Sequence, residues 1–418
     1  MIGLRIASLR KSQLLSQKEL SHGITSVSHL SNFESCRYMA GRETIELIAE
    51  RLNVSPKYLL SYNDPNIELE AIIKNIFKKI VLKNVSVEDE LKSIPTPIYN
   101  LKLEVSYYLL LASFYYKKGE LTNARHIDEN YLKVHLKYLK NHKEDLDSPL
   151  KEYLYYYWGI KFFRENKFSL SNIYFSKLIE INFDKDLEPA FLYNLALLQF
   201  RLTNYYQALS HAKKALENYL NALNWLKVGE IYNFISVIYR EQFLFDEALE
   251  QLNKALNIAK TMGLATLKGS TYHNIGLIYE DLNDFDAALL NYQHAIQFKT
   301  KMSNFITYSC LIRCHIKMKH YDLSEDLINK TLKNITNPYE LNILESYQAY
   351  IDLYRGNIDT FLNKSLKSSE FFENNNFLNE AQYLNTIIGE AYYEDRKYKL
   401  SSIYLKKALY LKRKSKGG

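Results

Sequence analysis

Residues 230–260 read EIYNFISVIYREQFLFDEALEQLNKALNIAK, and residues 270–300, forty positions on, read STYHNIGLIYEDLNDFDAALLNYQHAIQFKT. Laid one on the other, the small residues coincide: Ser236 with Gly276, Ala248 with Ala288, Ala255 with Ala295. The same triplet stands earlier at Ala196, Ala208 and Ala215, and returns at Gly389, Ser401 and Ala408. An aromatic precedes each middle member by three positions: Tyr205, Phe245, Phe285 and Tyr398. Glycine and proline number only 13 and 7 in 418 residues, which favours long uninterrupted helices.

Paired antiparallel helices touch where small residues let their backbones approach, and a large residue plugs the turn between them. That is the layout of a tetratricopeptide repeat, and the forty-residue period against the usual ~34 makes each helix roughly a turn longer. Weaker copies follow from spacing, with Ala124, Ser171, Ser324 and Phe361 as middle members and Leu121, Phe168, Tyr321 and Ile358 as turn plugs. Phe361 and Ile312 break the small-residue rule. The reading is all-α: a right-handed superhelix of about eight helix pairs over residues 101–414, a scaffold that grasps rather than catalyses.

Ahead of the array, residues 1–62 read as five short helices. Ile2, Ile6 and Leu9 mark the first. Ser16 caps the second, with Glu19 completing a capping box. Gly23 supplies a left-handed turn, Thr25 or Ser26 caps the third helix to about Glu34, Ile45 to Leu52 mark the fourth, and Ser55-Pro56 opens the fifth. Residues 63–100 are linker helices: an amphipathic one with Ile72, Ile73, Ile76, Phe77, Ile80 and Val81, then a shorter one from Ser86.

The net charge of +7 permits a polyanionic partner without demanding one. Residues 1–62 hold eight Lys or Arg against five Glu. Three cysteines fit a reducing cytoplasm, and no stretch is long and apolar enough for a signal peptide or membrane span. Tyrosine is abundant, 36 copies, and its plainest use is packing between helices. Enzyme readings find nothing to stand on: no phosphate loop, zinc-protease motif or nucleophile elbow is present. Cys310, Cys314 and His315 lack a fourth ligand at finger spacing, so no metal, cofactor or catalytic residue is expected.

The second and third helices with Gly23 between them fit a helix-turn-helix. Ser16-Gln17-Lys18-Glu19-Leu20 followed by Leu30-Ser31-Asn32-Phe33-Glu34 resembles the lambda-repressor-like (Xre-type) domain. The chain departs from that pattern at Cys36, where glycine is usual, and at Ala40-Gly41, where proline commonly opens the next helix. The resemblance implies that Gln17 sits on a phosphate, that Ser26, Val27, Ser28 and Asn32 face base edges, and that His29 reaches backbone or base. Hydroxyls and amides suit edge readout. Arg10, Lys11, Lys18, Arg37 and Arg42 are candidates to neutralise phosphates; a solvated helix face is the alternative for each.

In the array, the first helix of each pair lines the concave side. The expected lining is Asn233, Val237, Arg240 and Glu241, then His273, Leu277, Glu280 and Asp281, then Ser309 and Arg313, with Tyr193 and Arg201 before and Tyr350, Tyr354, Glu390 and Tyr393 after. Amide, guanidinium, carboxylate and phenol groups together suit an extended peptide. A merely wet polar surface is the alternative.

An Xre-type domain joined by a linker helix to such an array resembles the Rap–Rgg–NprR–PlcR–PrgX family of peptide-sensing regulators, and size favours an NprR-like or arbitrium-receptor-like member. The resemblance implies a cytoplasmic homodimer on a double-stranded DNA operator, switched by a short signalling peptide in the groove. The other implied role is an adaptor gripping a response-regulator protein, with DNA binding secondary.

Overall fold

The computed structural model describes residues 2–82, 87–141, 146–181, 184–298, 304–333 and 335–416. Among them the structure is helix and connecting turn, with no strand. Two compact units divide at Ala215/Leu216.

The first unit opens with α1 (Ile2–Ser12), α2 (Gln17–Ser21), α3 (Val27–Glu34), α4 (Arg42–Arg51) and α5 (Pro56–Leu60). Ile2, Ile6, Leu20, Leu30, Phe33 and Ile48 close their shared core. α1 crosses α3 so closely that a Cβ on Gly3 would stand 1.9 Å from the Phe33 carbonyl oxygen. The capping box forms as read, Ser16 Oγ accepting from Glu19 N and Glu19 accepting from Ser16 N. Gly23 has φ +71° and Ser26 caps α3. At Cys36 the chain takes φ 58°, so the left-handed turn out of α3 is kept without glycine.

α6 (Ile67–Leu82) buries Ile73, Ile76, Phe77, Ile80 and Val81, but Ile72 is 41% exposed, one helical step outside the packed stripe. α7 is Val87–Ser93, and the start read at Ser86 lies outside the described residues. α8 (Leu101–Lys118) ends at Gly119, φ +88°. Its partner is not one continuous helix. α9 (Leu121–Ile127) runs into a π-helical segment, Asp128–Leu132, before α10 (Lys133–Asn141). Asp128 is buried, and its carboxylate accepts from Tyr116 Oη, Tyr157 Oη and Lys161 Nζ, each at 2.6 Å. Donors from two neighbouring helices pull it inward at the point where the helix widens. α11 (Leu150–Arg164), α12 (Phe168–Glu180), α13 (Glu188–Arg201) and the start of α14 (Tyr205–Asn221) complete the unit.

The second unit holds α15 (Trp225–Glu241), α16 (Phe245–Thr261), α17 (Ala265–Asp281), α18 (Phe285–Phe298), α19 (Phe305–Lys317), α20 (Tyr321–Leu332), α21 (Pro338–Tyr354), α22 (Ile358–Asn374), α23 (Leu378–Glu394) and α24 (Tyr398–Lys416). The small residues stand where helices meet: Ser236, Ala248, Ala255, Ala288, Ala295, Ser401 and Ala408 are all buried. A Cβ on Gly276 would come within 2.6 Å of the Tyr292 ring, and one on Gly389 within 2.8 Å of Leu405. Phe361 and Ile312, which break the pattern, are buried as well, so larger residues fill those junctions. Phe245 and Phe285 are half-buried plugs, whereas Tyr398 is 59% exposed and lies edge-on to Tyr393 (ring centroids 5.4 Å). No helix among the described residues is long and apolar enough to cross a membrane.

Candidate functional site

The helix-turn-helix surface is built around one buried lock. Arg10 Nε and Nη2 donate to the two carboxylate oxygens of Glu34 (2.6 and 2.9 Å), and Arg10 Nη1 donates to the Leu15 carbonyl (2.7 Å). Gln17 Nε2 donates to the same Glu34 carboxylate at 2.8 Å. This ties α1, α2 and α3 together and corrects the reading of Arg10 as a phosphate neutraliser: it is buried and its donors are committed. Gln17 is half-buried with its amide turned inward on Glu34.

The N-terminal turn of α3 faces outward. Ser26, Val27, Ser28 and His29 are all exposed. Ser26 Oγ accepts from His29 N (3.1 Å) and lies 3.1 Å from Ser28 Oγ. The His29 ring is held by Thr25 Oγ1 and Tyr38 Oη at Nδ1 (2.9 and 2.5 Å), leaving its other edge outward. Burial pushes the Tyr38 hydroxyl above its usual range. Asn32 is half-buried and accepts a long hydrogen bond from Arg37 Nη1 (3.4 Å). Lys18 and Lys11 are exposed, and Arg42 is paired with Glu46 (2.9 Å). A projecting helix start rich in hydroxyls and flanked by lysines can do two things: read base edges and sit on phosphates.

In the second unit, α15, α17, α19 and α21 present the residues read as a groove. The first layer is ionic. Arg240 meets Asp281 through Nε and Nη2 (2.5 and 3.0 Å), and Nη1 has no hydrogen-bond partner among the described residues. Arg313 meets Glu280 through Nε and Nη2 (2.6 and 2.7 Å). Glu280 also accepts from Tyr292 Oη (2.9 Å) and has Lys317 at 3.5 Å. Burial works against its charge, but Arg313, Tyr292 and Lys317 outweigh it and hold the carboxyl below its ordinary range.

The second layer is polar and mostly buried. Asn233 Nδ2 donates to Thr271 Oγ1 (3.0 Å), and its Oδ1 has no partner among the described residues. His273 Nδ1 pairs with Thr307 Oγ1 (3.1 Å). Ser309 and Tyr347 share a hydrogen bond of 2.7 Å. Val237 and Leu277 are half-buried. Tyr350 is buried between Tyr347 and Tyr383 (ring centroids 6.3 and 6.0 Å), while Tyr354, Glu390 and Tyr393 are exposed. Asn233, Glu280 and Tyr350 are thus enclosed rather than displayed, whereas Glu241 and Asp281 are exposed and Arg240 and Arg313 are half-buried. Tyr193 and Arg201 belong to α13 of the first unit, the former half-buried and the latter exposed.

Sequence reading missed Tyr292 and Tyr347, the hydroxyls that complete the Glu280 and Ser309 networks, and it missed Arg5. Arg5 is 2% exposed and bonded to Glu104, to the Tyr58 and Tyr99 carbonyls (2.6 and 2.8 Å) and to the Ile98 carbonyl (3.1 Å). A glutamate inside the apolar run Leu101 to Leu111 was the signal that something cationic had to meet it. Cys310 and Cys314 are buried thiols; burial pushes Cys310 up and Cys314 up to about 12, which suits packing. No cluster of three or more metal-ligating side chains occurs among the described residues.

Comparison with known proteins follows the same division. Residues 6–59 match the helix-turn-helix family, and residues 188–261 and 269–301 match tetratricopeptide repeat families. Transcriptional activator NprA of Geobacillus stearothermophilus is 24% identical over 416 residues, covering 93% of this chain and 97% of that protein. Response regulator aspartate phosphatase I of Bacillus subtilis is 21% identical over 290 residues, 68% of this chain and 69% of its own length. Among solved structures, the apo form of the quorum sensor NprR from B. thuringiensis superposes with TM-score 0.64 at 15% identity, over 82% of this chain and 98% of its own. NprR in complex with its cognate peptide NprX gives TM-score 0.56 at 15% identity, over 83% and 99%.

Proposed function

We propose that this chain, a helix-turn-helix and tetratricopeptide-repeat protein of the Rap–Rgg–NprR–PlcR–PrgX family, is a cytoplasmic transcription regulator whose DNA binding answers to a short peptide. The observation that carries the reading is the exposed N-terminal turn of α3, in a chain that aligns along nearly its whole length with a transcriptional activator. Ser26 and Ser28 offer hydroxyls, Val27 an apolar contact for a thymine methyl, and Asn32 an amide within reach of an adenine edge. Lys18, Lys11 and Arg37 flank them as phosphate contacts, and Gln17 steadies α2 through Glu34.

For the peptide, the face formed by α15, α17 and α19 supplies what an extended backbone needs. Arg240 Nη1 is a charged donor beside a carboxylate, suited to a peptide terminus or acidic side chain. Asn233 lies enclosed beneath that face, its Nδ2 donating to Thr271 and its Oδ1 without a donor among the described residues. Leu277 and Val237 add apolar contact, and His273, Glu280, Arg313 and Tyr350 shape the floor beneath. Two chains acting as a homodimer would read two half-sites.

The adaptor reading, in which the array grips a response-regulator protein, draws on the match to phosphatase I, which covers 68% of this chain. The helix-turn-helix is the feature that reading leaves without a task. The deciding experiment is retardation of the chain's own upstream promoter fragment, with Ser28→Ala and Asn32→Ala alongside. Specific retardation by the unsubstituted chain, weakened by about 1–3 kcal/mol in N32A, is expected. No specific retardation, with or without candidate pentapeptide-to-octapeptide ligands, would sink the proposal.

A further inference from the structure

Within the first unit, beside the helix-turn-helix, lies a cleft of about 1200 Å³. One wall is the exposed side of α1, the start of α2 and the end of α3; the other is the π-helical segment and α10. Four exposed cations border it: Lys11 and Arg37 on the first wall, Lys133 and Lys137 on the second. Lys133 and Lys137 stand one helical turn apart, so both ammonium groups serve one face of α10. Two carboxylates, Glu34 and Glu129, share the lining, and Glu34 is already committed to Arg10 and Gln17. Among the described residues Arg37 has only the long bond to Asn32 (3.4 Å), and Lys11, Lys133 and Lys137 make no salt bridge.

Like charges gathered round one concavity repel each other, and an anion placed between them removes the repulsion. The wall carrying Lys11, Gln17 and Arg37 is the flank of the recognition helix. It is also the side on which the first helix of a helix-turn-helix crosses the sugar–phosphate backbone. α10 packs against α1, which fixes its lysines relative to that flank. We infer that α10 is a second DNA-contacting element: Lys133 and Lys137, carried by the repeat array, take backbone phosphates of the duplex whose bases α3 reads. The inference rests on the DNA-binding reading above. Such contacts add affinity without sequence preference and link duplex binding to the first helix pair of the array.

The test measures fluorescence anisotropy of the full chain on two short duplexes, its own upstream fragment and a scrambled one, across a series of salt concentrations. K133A/K137A is expected to bind both duplexes more weakly by a common factor, roughly tenfold or more at about 0.1 M salt. Its log–log salt slope becomes shallower by about 1.8, that is about 0.9 for each lost phosphate. K133R/K137R keeps both affinity and slope, and an unchanged circular dichroism melt shows that K133A/K137A is folded. Unchanged affinity and slope in K133A/K137A, while the unsubstituted chain binds, would overturn the inference. Tighter DNA binding by K133A/K137A would overturn it too, because α10 would then obstruct the duplex. If polyglutamate matched DNA in affinity and lost binding in K133A/K137A, the cleft would belong to an acidic protein segment instead. If the unsubstituted chain binds neither duplex, the DNA reading itself fails and takes this inference with it.

Discussion

Arg5→Met probes the joint between the helix-turn-helix and the first helix of the array. Methionine fills much of the arginine volume, so the effect comes from lost donors rather than a cavity. Removing the guanidinium strands the Glu104 carboxylate, whose side chain is 10% exposed and which then keeps, among the described residues, the Tyr58 hydroxyl. Even with Arg5 in place, burial pushes the Glu104 carboxyl above its ordinary value, against the pull of Arg5 and Tyr58. Left alone, it either stays ionised at about 3–5 kcal/mol or takes a proton.

Protonating a carboxyl of ordinary pKa 4.5 at pH 7 costs 1.36 kcal/mol per unit, about 3.4 kcal/mol, and the same step at pH 5 costs about 0.7. The carbonyls of Tyr58, Ile98 and Tyr99 lose their donor at either pH, adding roughly 1–3 kcal/mol. The sign follows from the raised folded pKa: the neutral acid is tolerated below pH 4.5, and stability is lost as pH rises through the folded value. Hydrogen exchange of the α1 and α8 amides, read by mass spectrometry at both pH values, measures this locally. R5M should be more destabilised at pH 7 than at pH 5 by about 2–3 kcal/mol, and R5M/E104Q should lose that difference. An equal penalty at the two pH values, or one below about 1 kcal/mol, would refute the reasoning.

Other outcomes follow from single positions. Gly276→Ala drives a methyl into the Tyr292 ring, so a loss of about 1–3 kcal/mol is expected, read as a lower melting temperature, and an unchanged melt would mean the α17–α18 contact is looser than described. Cys36→Gly removes the strain of a left-handed side-chain-bearing residue, ~1–2 kcal/mol, against a glycine entropy cost of ~0.5–1, so a net gain of about 0.5–1 kcal/mol should appear in urea denaturation. His135 is buried, and that burial, aided by the Arg5 charge, lowers its pKa to about 4 from 6.5. Its unfolded form gains a proton first as pH falls, so stability drops between pH 6.5 and 4 by about 3 kcal/mol, and His135→Gln should lack this component. A wild-type-minus-H135Q difference that stays flat from pH 7 to 4 would contradict it.

Much of this was legible in the chain because it is local. The Ser16–Glu19 box, the Gly23 turn, the Ser26 cap and the buried small residues of the repeats are all decided within one turn or one helix pair. What escaped was set at a distance. Arg10 reads as a surface cation until Glu34, 24 residues away, draws it inside. Asp128 looks like an ordinary helix residue until Tyr157 and Lys161 arrive from α11 and the helix widens to a π turn. Arg240 and Arg313 read as groove residues, but their pairing with Asp281 and Glu280, 41 and 33 residues off, depends on how one repeat registers on the next. No periodicity encodes that register, so the array was readable as a scaffold while the face proposed for a peptide was only outlined.

The central claim is that a peptide on the α15–α17–α19 face controls what α3 does on DNA. The most direct test is the dissociation constant of the full chain for its promoter duplex, measured without peptide and at saturating concentration of a pentapeptide-to-octapeptide that binds it, in wild type and Arg240→Ala. The account predicts a change of roughly 5- to 150-fold in wild type, the size of a typical coupling free energy, and none in R240A at unchanged peptide-free affinity. An identical dissociation constant with and without a peptide that demonstrably binds the wild-type chain would contradict it.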